Sequence, residues 1–194
     1  MAGSSGRVGK DLLIATKTFA HETARESWRL LVTTLVLLFG SLTAAALVPW
    51  WPVRAVASLL GALLMVRAFI FFHDYQHGAI FHRSRLAMPV MNFVGLLMLV
   101  PQRSWRETHN YHHANVAKVD TPAIGSFPVM SVAAWHEATA WKRFSYRVSR
   151  HPLTILAAGF TVFGLNVTLV PLLKNPKRPW ASALALLLHG GVVA

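Results

Sequence analysis

From Leu30 to Trp51 the chain carries no charged residue, and from Val53 to Phe72 it carries only Arg54 and Arg67. At about 1.5 Å per helical residue, each run is long enough to cross about 30 Å of hydrocarbon. Peptide groups inside a bilayer must be satisfied within their own segment, so such runs become helices. Between them, Pro49-Trp50-Trp51-Pro52 makes a tight turn with two tryptophans at headgroup depth. The two runs therefore form a transmembrane hairpin. Composition agrees, since only 13% of the residues are charged and 54% are hydrophobic, against about 25% charged in soluble domains.

The net charge of +12 raises nucleic acid as a partner. The basic residues instead flank the apolar runs, as anchors against anionic lipid heads do, so membrane lipids are expected and nucleic acid is not. Arg7, Lys10, Lys17, Arg25 and Arg29 precede the first run, whereas the hairpin turn offers only Arg54. That asymmetry places the N-terminus in the cytoplasm. Residues 1–29 read as a cytoplasmic N-terminal segment with a disordered start and a surface helix over Lys10–Trp28. Its apolar run starts too late and is too long for a signal peptide. Arg67, near the end of the second run, is placed to snorkel to the interface.

The second run leaves the membrane at Phe71-Phe72-His73-Asp74-Tyr75-Gln76-His77, and a related cluster follows at Thr108-His109-Asn110-Tyr111-His112-His113. On helices, His73 and His77 share one face at i, i+4, and His109, His112 and His113 repeat that spacing. A lone histidine at a helix end is most often an interfacial polar residue. Two clusters with ligand spacing are a metal-binding arrangement, because neutral imidazole is a common nitrogen ligand and unpaired crowded imidazoles are costly when charged. The chain has no cysteine, so thiolate and iron–sulfur ligation are excluded. Zinc, iron and copper remain open on donor type alone. Five histidines exceed one closed tetrahedral zinc site and favour two metals.

The segment Leu86–Pro101 decides whether the clusters share a side. It is apolar but short and contains Pro89 and Asn92. If it crossed the membrane, the two clusters would face opposite compartments. A re-entrant or interfacial segment keeps them together, and its length suits that role. Beyond the second cluster, Thr121-Pro122 ends any helix and 123–128 reads as a loop. Ser131–Arg150 mixes Trp135, Trp141, Phe144 and Tyr146 with Lys142, Arg143, Arg147 and Arg150, which suits an interfacial helix. Leu153–Leu173 reads as a third span, 174–179 as a turn, and Trp180–Ala194 as the start of a fourth. Lys174, Lys177 and Arg178 in that turn run against the positive-inside rule. The fold expected is all-α integral membrane: two transmembrane hairpins, the last span incomplete, with a cytoplasmic histidine region and interfacial helices.

The cluster His73-Asp74-Tyr75-Gln76-His77 resembles the first histidine box (HDxxH) of the membrane fatty acid desaturase family. His109-Asn110-Tyr111-His112-His113 resembles the second (HxxHH), and the similarity in order and spacing runs from about Val53 to the end of the chain. The resemblance implies a desaturase-like domain over 30–194 and a two-iron centre with His73, His77, His109, His112 and His113 among its ligands. It implies O2 as co-substrate, a lipid-, CoA- or carrier-linked fatty acyl substrate, and an external electron donor of the ferredoxin or cytochrome b5 kind. The family has a third box after a further hairpin, and this sequence stops at Ala194 before that position. The expectation is an incomplete copy of a longer enzyme, inactive as it stands. A related carotenoid or sphingolipid hydroxylase or ketolase, and an inactive membrane remnant, are the alternatives.

Asp74 is expected to orient an imidazole by accepting its other N–H, and Asn110 to hold a ligand or water. Tyr75 and Tyr111 are expected to pack at the interface. His21, His136 and His151 fall outside ligand spacing, and His82 lies off the ligand face. His189 stands inside an apolar segment, where an ionisable residue is a functional candidate by default. Its depth, far from the cytoplasmic end, keeps it out of the ligand set.

Overall fold

A computed structural model describes residues 9–19, 21–116, 118, 119, 124, 127–174 and 180–193. The expected disordered start, the break at Thr121-Pro122, most of the 123–128 loop and the 175–179 turn lie outside them. No strand occurs among the described residues. The chain divides into two compact units, Met1–Met91 and Asn92–Ala194.

The first unit is built on a helical hairpin, α2 (Ala24–Leu47) against α3 (Trp51–Gln76), preceded by a short α1 (Lys10–Thr16). At about 36 and 39 Å, α2 and α3 are long enough to span hydrocarbon, and they are the two described helices that are both long and apolar enough. Their contact is a stripe at helical spacing: Leu31, Thr34, Leu38 and Ser41 on α2, and Ala57, Gly61, Leu64, Ala68 and Phe72 on α3. Small residues bring the two backbones close, as packing without a hydrophobic drive between helices requires. A Cβ on Gly61 would lie 3.7 Å from Leu42 and Ser41. Val36, Leu37, Leu59, Leu63, Val66 and Ile70 face outward, an apolar exterior suited to lipid. Thr34 turns its hydroxyl back onto Leu30 O at 2.7 Å, which satisfies it in the packed stripe. Arg54 donates through Nε to Ala45 O at 2.8 Å, so a helix-end carbonyl of α2 is capped by the first turn of α3.

Helix boundaries differ from the sequence expectation at the N-terminus. One helix over Lys10–Trp28 was expected, but α1 ends in a 3-10 turn at Lys17–Phe19, and Thr23 is extended before α2 begins at Ala24. The break lets Thr23 O accept from Glu26 and Ser27 N–H and start α2 inside the expected N-terminal segment. Glu26 and Arg29 pair one turn apart on its first turns.

The division between units falls within α4 (Ala87–Leu97). Its length of about 16 Å is half the hydrocarbon thickness. It ends with Leu99 in the left-handed region, φ +59. Leu99 N–H bonds Leu96 O at 3.2 Å and Val100 N–H bonds Gly95 O at 2.8 Å, the two reversed bonds of a Schellman cap. Left-handed backbone at a leucine costs about 1–2 kcal/mol, so neighbours must hold it there. Pro101 then leads into α5 (Gln102–Ala114).

The expected third span is divided. It consists of α8 (Pro152–Leu156), a π-helical stretch Gly159–Leu169 and α9 (Val170–Lys174). The buried Thr168 hydroxyl in the π stretch faces Leu99 O at 2.6 Å and Phe163 O at 2.9 Å. The longer π turn places residue i−5 within reach of that hydroxyl. The continuous interfacial helix expected over Ser131–Arg150 is also two helices, α6 (Val132–Glu137) and α7 (Ala140–Arg150). Ser131 and Thr139 each accept from a backbone N–H at 3.2 Å, so Thr139 starts a new helix instead of continuing the old one. Trp135 joins the two, lying 5.8 Å from Tyr146 with the Arg147 guanidinium 5.1 Å from its ring. On α7, Trp141, Phe144 and Val148 share an exposed apolar face, while Arg143, Arg147 and Arg150 lie toward the other side. The last described element is α10 (Trp180–Val193).

Candidate metal centre

In the first unit both histidines of the HDxxH cluster belong to the end of α3, His73 in its last turn and His77 at its C-cap. Their rings stand 4.5 Å apart, centroid to centroid. The helix ends there because Gly78 adopts φ +66, which costs glycine nothing. Gly78 N–H bonds Tyr75 O at 3.0 Å and Ala79 N–H bonds Asp74 O at 2.9 Å, closing a Schellman cap. The helix end is thus locked directly beneath the pair. Asp74 Oδ1 lies 3.0 Å from His73 Nδ1. A carboxylate there accepts the Nδ1 proton and leaves Nε2 with its lone pair outward, the tautomer a metal ligand needs.

In the second unit His109, His112 and His113 lie on α5. His109 and His113 are the close pair, with Nε2 atoms 3.0 Å apart and ring centroids 4.5 Å apart. His112 stands 5.6 Å from His113 and 6.2 Å from His109, centroid to centroid. Two imidazoles bonded to one metal at about 2.1 Å and at right angles bring their nitrogens about 3.0 Å apart. The observed spacing fits such an edge. The all-nitrogen donor set, with no thiolate in the chain, suits iron, copper or zinc.

Trp105 was not singled out from the sequence. Only 5% exposed, it stacks on His109 with centroids 4.0 Å apart and an interplanar angle of 21°. Its position four residues before His109 is the same i, i+4 relation that links the histidines, so spacing alone carried the signal. Thr108 returns its hydroxyl to Trp105 O at 3.0 Å, and Asn115 donates to Tyr111 O at 2.9 Å. Asn110 is exposed.

The remaining histidines separate from these pairs. His21, His82 and His136 are exposed. His151 caps α8, its Nδ1 accepting from Leu153 N–H at 3.3 Å. His189 on α10 lies with Nδ1 3.3 Å from Leu97 O, at the end of α4. A polar group in an apolar segment has there found a helix-end carbonyl, which gives it a structural partner.

An all-α chain with a membrane-length hairpin and two helical imidazole clusters defines a histidine-box membrane protein. Residues 49–194 match the family model described as "Fatty acid desaturase", and the chain belongs to that family. It is 26% identical over 152 residues to a fatty acid desaturase of Bacillus subtilis, covering 77% of this chain and 43% of the relative. It is 31% identical over 109 residues to the sn-1 acyl-lipid omega-3 desaturase (ferredoxin) of Synechocystis, covering 52% of this chain and 29% of the relative. A chloroplastic omega-3 fatty acid desaturase of Glycine max is 28% identical over 96 residues, 48% of this chain and 21% of the relative. The chain spans less than half the length of these curated relatives. No solved structure matches it.

Proposed function

We propose that this chain carries part of an O2-dependent desaturase acting on the acyl chain of a lipid, CoA or carrier-linked fatty acid. His73, His77, His109, His112 and His113 hold iron in a two-iron centre, with Asp74 orienting His73. The observation that carries the reading is the pair of i, i+4 imidazole sets on helices, one with its Nε2 atoms at 3.0 Å.

Iron bound there supplies the oxidising power needed to remove hydrogen from an unactivated C–H bond. The overall reaction converts –CH2–CH2– to –CH=CH–, with O2, two electrons and two protons leaving as two waters. The electrons come from an external carrier, ferredoxin or a cytochrome b5-like protein. The Synechocystis relative carries ferredoxin in its name. This chain's residues position the reaction. The locked end of α3 fixes His73 and His77, Asp74 sets the His73 tautomer, and Trp105 restrains the His109 ring against rotation.

The proposed topology puts the N-terminus and both boxes in the cytoplasm, with α4 re-entrant and α7 lying at the interface. Four spans complete the membrane domain. The boxes must share a compartment if they share a centre, and the basic residues before α2 favour the cytoplasmic side.

Acyl-chain analysis by gas chromatography and mass spectrometry tests the reading in cells expressing the protein. A new cis-unsaturated acyl chain, lost in His77→Ala, is expected. An oxygenated product instead would move the assignment to the hydroxylase or ketolase relatives. No product dependent on His77 would remove both.

A further inference from the structure

Beyond the Gly78–Ala79 cap, the segment after the first box is held from the start of the hairpin. Phe81 sits at φ +61 and is 2% exposed, a conformation that an aromatic L-residue adopts only when its surroundings impose it. Two residues from the start of the chain's first long helix impose it. Glu22 Oε1 accepts the Phe81 N–H at 2.7 Å, across 59 positions of sequence. Trp28 packs on the Phe81 ring, centroids 4.6 Å apart. Hairpin topology explains how they meet: α2 and α3 are antiparallel, so the start of α2 lies beside the end of α3, where His73 and His77 stand.

Gly78 and Phe81 are two left-handed residues three apart, and together they turn the chain sharply beneath the imidazole pair. Gly78 enters that region at no cost, whereas Phe81 does not. Ser84 N–H continues the turn by bonding Phe81 O at 3.0 Å. Without a carboxylate on its N–H and a ring against its side chain, Phe81 relaxes toward ordinary backbone. The Gly78–Ser84 turn then loosens, and with it the C-cap at His77. The family match begins at residue 49, so Glu22 and Trp28 lie outside the matched region.

We infer that Glu22, supported by Trp28, is a positioning residue for the first histidine pair, acting through the Phe81 turn and not as a ligand. This rests on the metal reading of His73 and His77 given above. The carboxylate oxygen matters as a hydrogen-bond acceptor of fixed reach, so a side chain of equal length with an acceptor oxygen serves and a shorter one does not.

The test titrates Fe(II) into the whole chain in detergent against a competing chelator, for wild type, Glu22→Gln, Glu22→Ala and Glu22→Asp. Amide hydrogen exchange at Phe81 is followed in the same samples without metal. Glu22→Ala should weaken iron binding about tenfold, in the range expected when a ligand's supporting contact is lost, and should speed Phe81 exchange by a similar factor. Glu22→Gln should bind within about threefold of wild type, since it keeps the acceptor. If Glu22→Ala does not accumulate as folded protein, Glu22→Asp, which keeps the charge but is one methylene shorter, should show the same loss. Wild type that loads iron, with Glu22→Ala or Glu22→Asp binding equally well, overturns the positioning role and leaves the metal reading intact. Equal loss in Glu22→Gln and Glu22→Ala overturns it too, because charge and not the bond would then be acting. Wild type that takes up no iron overturns the metal reading itself, and the positioning role with it.

Discussion

The two histidine boxes use the same spacing but sit on helices of different kinds. The first is the tail of a long apolar helix, and its pair inherits rigidity from α3 and the glycine cap at Gly78. The second occupies a short polar helix, α5, with no long apolar stretch of its own. It depends on what surrounds it: the buried Trp105 against His109, and the strained Leu99 turn gripped by Thr168. Packing along a long helix carries the first box, with Glu22 and Trp28 holding the turn beyond it, whereas the second rests on a few contacts at its entrance. A ligand pair at i, i+4 needs only a helix, but keeping that helix in place takes a separate device.

The comparison predicts that single substitutions near the second box cost more than those near the first. Trp105→Ala removes a buried indole and should destabilise the second unit by about 3–5 kcal/mol. Thermal melting in detergent checks this, with His109 ring order followed by NMR. A loss below about 1 kcal/mol would show that α5 is held by other contacts. Thr168→Val keeps the shape but leaves Leu99 O without its hydroxyl donor, and should cost about 1–3 kcal/mol. Hydrogen exchange should localise that loss to α4 and α5 while the α2–α3 hairpin keeps its protection. A uniform loss across both units would break the distinction drawn here. At the first box, Gly78→Ala forces a Cβ into the left-handed region and should cost about 1 kcal/mol. Nothing closer than His82 Nδ1 at 3.9 Å meets the added methyl, so strain is the whole cost. A larger loss, measured by the same melting experiment, would mean that the glycine cap and not the apolar helix secures the first pair.

The α2–α3 hairpin and both boxes were legible because their signals are periodic and local. Uncharged runs of membrane length and histidines at i, i+4 require no knowledge of distant partners. Gly78 offered a local signal that went unread, since glycine after a helix marks a left-handed cap. Leu99 and Phe81 adopt the same conformation, yet nothing in a leucine or phenylalanine announces it. Their left-handed backbones are imposed by Thr168 and Glu22, 69 and 59 positions away. The divided third segment was hidden similarly, because its composition reads as one apolar span. Thr139 was an available N-cap inside the expected Ser131–Arg150 helix, and reading it as one would have found α6 and α7. His189 stood out correctly as an ionisable residue among apolar ones, but its partner, Leu97 O, is a backbone atom that sequence does not display.

The proposed function requires that both boxes bind metal and that the metal is iron. Metal content by mass spectrometry on the purified chain, beside His77→Ala and His113→Ala, tests it most directly. Iron is expected as the dominant metal, reduced by either substitution, because each removes one imidazole from the set proposed to hold it. Zinc or no metal in the wild type, or iron unchanged in both variants, would contradict it.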